Sequence, residues 1–414
     1  MARTHVIGLL LGVEEDWPAA FESLLARVAP SVRRGGETHE FRTERVTIEP
    51  FDLRMVPKHS LVIDRLGWWY DLPREWLKKV ALMNQVHLLN NPFTFQAMEK
   101  HAAYCAMMRL GLRVPTTWML PEKRPPDNPR FAGTAQRYLR FFDLDAVATS
   151  VGMPLYMKPF DGGAWVGVTR VEDFAGLHRA YDESEQRLMH LQASVEGFDV
   201  FVRSLGIGAE TMVMRYDPSR PIHDRYSVAH DFLTPDVGDE VLSIVRTVNA
   251  FFRWELNSCE TLVRDGFVHP IDYANATPDI ALTSLHYYFP WAIRTLIKWV
   301  VFCCVTGRRQ TVDLDTRRYF AIADRTDLSY AEKLHEYRRL AERQLETERY
   351  AEFCRRHLAH VDEATVAWVE SDEFDRVIID TVRGTFPEHE HEQFIAHYRG
   401  LLRYWARDQR ASVS

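Results

Sequence analysis

Two groups of residues in this 414-residue chain are of the types that handle phosphate and metal. The first is Lys158 with Gly162 and Gly163, in the stretch GMPLYMKPFDGGAWVGV. Glycines in a turn leave several backbone N–H groups pointing into one concavity, where a Cβ would block a phosphate or forbid positive φ. A lysine ending the preceding apolar run adds a point charge to the same spot. In a Walker loop the lysine follows the glycines and opens a helix. Here it precedes them, and AWVGVTRV resumes strand-like alternation. The loop is therefore expected to join two strands, which excludes a P-loop and a Rossmann fingerprint but not phosphate. Taken alone, the pattern also describes a plain hairpin with a solvated lysine, because glycines mark turns more often than sites.

The second group is Glu260, Asp272 and Asn275, in NSCETLVRDGFVHPIDYANATPD. A hairpin turning at Asp265–Gly266 brings their oxygens together from two strands. Two carboxylates and an amide form a hard oxygen set suited to Mg²⁺, which keeps its other positions for water and phosphate oxygens. The same residues also describe an ordinary polar hairpin end.

A lysine-headed helix (Lys100), a second lysine before a Gly-Gly turn (Lys158), a Q-x-x-V-x-G-x-D strand and a terminal acid-and-asparagine hairpin occur in that order. This succession resembles the ATP-grasp superfamily, the fold of glutathione synthetase, D-alanine–D-alanine ligase and ribosomal-protein glutamate ligases. The resemblance runs from about Val62 to Pro278. It implies that Lys100 and Lys158 touch the ATP phosphates, with Lys158 also near the adenine, and that Gly162 and Gly163 close over the β- and γ-phosphates as a lid. It implies that Gln192 accepts the adenine amino group, Val195 offers backbone to the ring and Asp199 binds the ribose hydroxyls. Glu260, Asp272 and Asn275 would hold Mg²⁺, with Mn²⁺ an alternative. Arg203 and Arg215 would face the transferred phosphate, where a guanidinium fork stabilises growing charge. Asp64 and Arg65 end a strand in the first domain, where such ligases often bind their acceptor.

Two departures stand out. Asp272 is shorter than the glutamate many relatives carry, and Asn275 lies three residues on instead of two, so a strand bulge is expected and Asp279 competes as a ligand. Trp165 is bulky where the lid loop of relatives is small.

Stepping along the chain, short apolar runs alternate with helical patterns over the first hundred residues, which reads as α/β. Phe95 to Leu110 are expected as one helix ending at Gly111, with a proline-rich loop at Pro121–Arg130. Strand, Gly-Gly turn, strand, helix and strand follow to Val195. GIG (Gly206–Gly208) reads as a hairpin turn. Beyond Leu282 the pattern is helical, with a capping box at Ser329 and Glu332. The expected architecture is an α/β (α+β) ATP-grasp fold: a preceding α/β domain (1–115), a lid subdomain (116–205), a core subdomain (206–310) and a C-terminal helical extension (311–414). The apolar stripes of the extension would pack on the core and, in a homodimer, on a second subunit.

Composition narrows the function classes. The net charge of -7 argues against non-specific nucleic-acid binding, which needs a basic surface. The five cysteines have neither zinc spacing nor an even framework, which suits a reducing compartment, and the cytoplasm is the expected address. IKWVVFCCV (Ile297–Val305) is too short to span a bilayer, so no membrane partner is expected. EHEHE after Pro387 suits a helix N-terminus better than a metal, and Cys303–Cys304 suit a core. No Ser–His or Cys–His nucleophile arrangement is apparent. The resemblance implies ATP-dependent joining of a small-molecule or peptide carboxylate to an amine. An ATP-grasp kinase and a non-catalytic nucleotide-binding protein are the alternatives.

Overall fold

In a computed structural model, all residues are described except Met1, Leu139, Ala164, Ala276, Gln310 and 412–414. The amino-terminal third builds one sheet from β1 (Ala2–Leu10), β2 (Val32–Arg34), β3 (Glu37–Arg45), β4 (Leu61–Asp64) and β5 (His87–Leu89), in the order β2-β3-β1-β4-β5. β1 lies parallel to both β3 and β4, and β4 parallel to β5. β4 is buried along its whole length, as befits a parallel strand covered on both faces. The α/β expectation holds here.

The second sheet holds β6 (Thr117–Leu120), β7 (Leu155–Pro159), β8 (Thr169–Val171) and β9 (Met189–Ala193), in the order β6-β9-β7-β8. One face is covered by the helices Leu144–Val151 and Phe174–Ser184 through Leu155, Met157, Leu177 and Leu191. Strand alternation turns Tyr156, Lys158, His190 and Gln192 to the other face.

The third sheet holds β10 (Val200–Ile207), β11 (Glu210–Tyr216), β12 (Tyr226–Ser227), β13 (Leu256–Arg264) and β14 (Phe267–Asp272), in the order β12-β11-β10-β13-β14. Because β10 pairs with β11 and β13, the lid sheet ends at Ala193 and not near 205. The turn between β13 and β14 is at Asp265 and Gly266, both at positive φ, the two-residue geometry that matches strand twist. The turn between β10 and β11 is Gly208–Ala209, one step beyond the expected GIG. Gly208 has φ +55°, and a Cβ there would lie 2.0 Å from the Trp299 ring, so only glycine fits.

The helix expected over Phe95–Leu110 is broken. Pro92–Met98 form a 3-10 turn and His101–Arg109 an α-helix, with Lys100 between them at φ +29°. From Leu282 onward every regular element among the described residues is helical, and Ser329 with Glu332 forms the capping box. EHEHE lies just after Pro387 at the start of the last helix, as expected. Gln310, at the expected boundary of core and extension, lies outside the described residues. The stretch Leu282–Thr306 is long and apolar enough to cross a membrane (mean hydropathy 1.4), yet 89% of its apolar 18-residue window is buried inside the chain. Its Trp299, Phe302 and Cys303 share one core with the first helix and the extension.

Candidate functional site

A cleft of about 350 Å³ opens where the three sheets converge. Lys100, Lys158, Arg203, Glu260, Asp272 and Asn275 line it, as do Gly162 and Gly163. Six side chains and a glycine loop proposed from separate motifs therefore meet in one place.

Lys158 stands on β7 with its ammonium buried, donating to Gln192 Oε1 at 2.7 Å. Burial lowers its pKa to about 8; Asp272 opposes the shift and Lys100 adds to it. Lys100 reaches the cleft from the helix break, and its Nζ donates to Asp272 Oδ2 at 2.6 Å. A non-glycine residue at positive φ costs energy that surrounding structure must offset, and such residues cluster at functional sites.

Arg203, Glu260 and Asp272 form a row across three strands. Arg203 is the register partner of Glu260, and Glu260 of Asp272. The last pairing depends on an irregularity: Thr261 pairs with Pro270 while Glu260 pairs with Asp272, so Ile271 is extra. A one-residue slip flips a side chain to the opposite face. The bulge thus aims Asp272 at Glu260, a use of bulges common beside active sites. The expected bulge exists, but before Asp272 and not after it. Arg203 Nη1 lies 3.4 Å from Glu260 Oε1. Burial raises the Glu260 pKa, Arg203 opposes this, and the neighbouring Asp272 raises it further.

Asn275, in the loop after β14, donates from Nδ2 to Ser258 Oγ at 3.2 Å. Two adjacent carboxylates with an amide oxygen alongside fit a hard divalent cation. Glu260, Asp272 and Asn275 would hold it. Asp279 also lines the cleft, though its Oδ1 accepts from Ala281 N at 2.9 Å.

The glycine loop differs in length from expectation. β8 begins only at Thr169, and Val166 N and Val168 N close turns onto Gly163 O and Trp165 O. Gly162 has φ +91°, and a Cβ built on either glycine meets nothing within 4 Å. Their surroundings are open, as a loop that must approach a ligand requires. Trp165 packs edge-on to Tyr156 at 6.5 Å and stays 42% exposed at the cleft mouth.

Four expected contacts are not in the cleft wall. Arg215 is the register partner of Val202, so it projects from the face opposite Arg203 and is solvent-exposed. Gln192 is 1% exposed and held between Lys158 and Thr117 Oγ1 (2.9 Å), where it orients the lysine. Val195 is buried in the core. Asp199 is exposed and accepts from Asp265 N at 3.0 Å, bracing the hairpin tip.

Arg225, which the sequence reading did not single out, lines the cleft from the segment before β12, and Trp68 and Trp69 line it from the turn after β4. Arg65 lines it as well, with Nε on Glu14 at 2.8 Å and Nη1 on Pro278 O at 2.8 Å, tying the first domain to the core. Asp64 is fully buried and accepts from Leu66 N and Gly67 N; burial pushes its carboxyl up to about 6. It is a turn-holding residue behind the cleft. His101 stacks on His190 (5.4 Å) and meets Cys105 Sγ at 3.7 Å, a Cys–His contact one helical turn apart.

No family model matches the chain, and no curated protein resembles it in sequence. Solved structures do. A RimK domain ATP-grasp protein from Sphaerobacter thermophilus matches 72% of this chain and 99% of its own at 12% identity, with a TM-score of 0.50. D-alanine–D-alanine ligase from Bacillus anthracis, solved with ATP, matches 73% of this chain and 98% of its own at 13% identity, with a TM-score of 0.47. That likeness, over three sheets that meet at a lysine-and-carboxylate cleft, gives the chain the ATP-grasp fold.

Proposed function

We propose that the protein is an ATP-dependent carboxylate–amine ligase. The observation that carries this reading is the convergence of Lys100, Lys158 and Arg203 on Glu260 and Asp272 beneath the Gly162–Gly163 loop. The lysines and Arg203 suit a triphosphate, and the acidic pair with Asn275 suits the Mg²⁺ that accompanies it. When bound, Mg²⁺ supplies charge neutralisation on the phosphate oxygens.

Catalysis then consists of positioning and electrostatics. A substrate carboxylate oxygen attacks the γ-phosphorus and ADP leaves. The amine then adds to the acyl carbon and phosphate departs with its oxygen, which yields the amide. Arg65, Arg203 and Arg225 all line the cleft and would meet the substrate carboxylate. Trp68, Trp69 and Trp165 at the rim would exclude water from the acyl phosphate once the loop closes.

Hydroxylamine added with ATP, Mg²⁺ and a panel of carboxylates should trap a hydroxamate. Sustained ADP release should require an amine as well as the carboxylate. A stable phosphate ester as sole product, formed without amine, would replace this reading with a kinase.

A further inference from the structure

A second cavity, of about 370 Å³, lies between the core and the helical extension, apart from the nucleotide cleft. Arginines from four segments line it: Arg253 at the end of the helix Pro235–Phe252, Arg308 and Arg309 after the helix ending at Thr306, Arg318 on Thr316–Ala323 and Arg343 on Tyr330–Gln344. Three acids share the wall, and each is already engaged. Glu255 accepts from Arg308 at 2.9 Å and from His87 at 2.7 Å, Glu346 accepts from Arg308 at 2.6 Å, and Asp315 pairs with Arg318 at 3.1 Å. Among the described residues, Arg253, Arg309 and Arg343 have no carboxylate partner. The helix dipole explains one cation at the end of Pro235–Phe252, but not three drawn from separate segments.

Tyr319 and His87, both buried, also belong to the wall of this cavity. Arg253 also holds a left-handed backbone (φ +61°) at a helix end, where glycine is usual. Burial lowers its pKa, with Tyr319 and Asp315 opposing, so its charge is under-compensated. A cation does not fit. His87, Glu255 and Cys303 bring ligand-type atoms within 4.8 Å of one another, but Arg308 and Trp299 already occupy the Glu255 carboxylate.

We propose that this cavity is a second binding site, for a phosphate-bearing small molecule. Guanidinium forks on Arg253 and Arg343 match phosphoryl oxygens. A volume of this size lies in the ordinary range for small-molecule pockets and leaves room beyond one phosphate. Trp254, Leu340 and Leu345 offer apolar wall for the remainder. Because the walls come from both the core and the extension, the ligand would clamp one to the other.

The test uses the full chain with its nucleotide cleft filled by a non-hydrolysable ATP analogue and Mg²⁺. Pyrophosphate, inorganic phosphate and a sugar phosphate are each titrated by calorimetry, with citrate as the carboxylate comparison. A saturable site for pyrophosphate or the sugar phosphate is expected; which of the two binds tighter separates a free ion from an ester. Loss of one charged hydrogen-bonding partner should weaken binding about tenfold in Arg343→Ala. Arg253→Gln should likewise weaken binding, and an unchanged melting temperature in Arg343→Ala separates loss of the site from loss of the fold. Phosphate binding unchanged in both variants, binding abolished by the ATP analogue, or tighter binding of citrate would overturn the proposal.

Discussion

Lys158 Nζ donates to Gln192 Oε1 at 2.7 Å, so the glutamine expected to read adenine holds the lysine expected to grip phosphate. Gln192→Leu should remove the acceptor from a buried ammonium and lower stability by about 1–3 kcal/mol. Tripolyphosphate affinity should fall and adenosine affinity should not. If adenosine binding fell and tripolyphosphate binding did not, Gln192 would be an adenine contact after all.

The Lys158 pKa near 8 makes two pH dependences run in opposite directions. In the unfolded chain this lysine titrates near 10.4. Between about 8 and that value the unfolded state binds more protons than the folded one, so stability without nucleotide should rise with pH. Below pH 8 both states carry the proton and the contribution is flat. Nucleotide affinity should instead fall above pH 8, as the cation that grips phosphate is lost. Calorimetric Kd for ATP at pH 7 and pH 9, in wild type and in Lys158→Met, checks this. An equal pH slope in the variant would assign the titration to another group.

What the sequence revealed, and what it hid, divides by the range of the interaction. The Asp265–Gly266 turn, the Lys158 loop and the capping box at Ser329 are set by residues a few positions apart, and they were legible. Arg215 was set beside Arg203 by the resemblance, and the turn between them decides otherwise. A three-residue turn over Gly206–Gly208 puts Arg203 and Arg215 on one face, whereas the two-residue turn at Gly208–Ala209 pairs Arg203 with Met214 and sends Arg215 to the other. The reason for that turn, the Trp299 ring against Gly208, lies about ninety residues away and leaves no local trace. Arg225 and the second arginine cavity likewise arise only when distant segments meet.

The two arginines can be separated by experiment. Arg203→Met should reduce turnover on the order of 100- to 1,000-fold, the usual cost of one preorganised electrostatic contact. Arg215→Met should leave turnover within about twofold, since an exposed side chain on the far face carries little energy. Equal losses in the two variants would mean that Arg203 acts through the fold and not on the phosphate.

Metal binding gives a graded set of variants. Asp272→Asn should raise the Mg²⁺ concentration needed for ATP turnover, because one anionic ligand is lost. Asp279→Asn should not, as that carboxylate caps Ala281. Asp272→Asn also frees Lys100, so metal-independent nucleotide binding should hold or tighten. An unchanged Mg²⁺ titration in Asp272→Asn, with a shifted one in Asp279→Asn, would move the ligand role to Asp279.

Removal of the chain after Asp324 tests whether the helical extension is part of the ATP-grasp core. Tyr337 is fully buried, and its hydroxyl donates to Leu110 O at 3.0 Å, fastening the extension to the segment that follows the Lys100 helix. Trp368 is also fully buried, with Nε1 on Ser23 Oγ at 2.9 Å in the first domain. Tyr398 Oη donates to Thr283 O at 3.0 Å. Three of the largest buried side chains would vanish together, and losing even one large core aromatic costs about 3–5 kcal/mol. That exceeds what a domain of ordinary marginal stability can absorb. The truncated chain is expected to be insoluble or to bind an apolar dye strongly. A soluble, cooperatively melting truncation with wild-type ATP affinity would show that the cleft is held by the first three hundred residues alone.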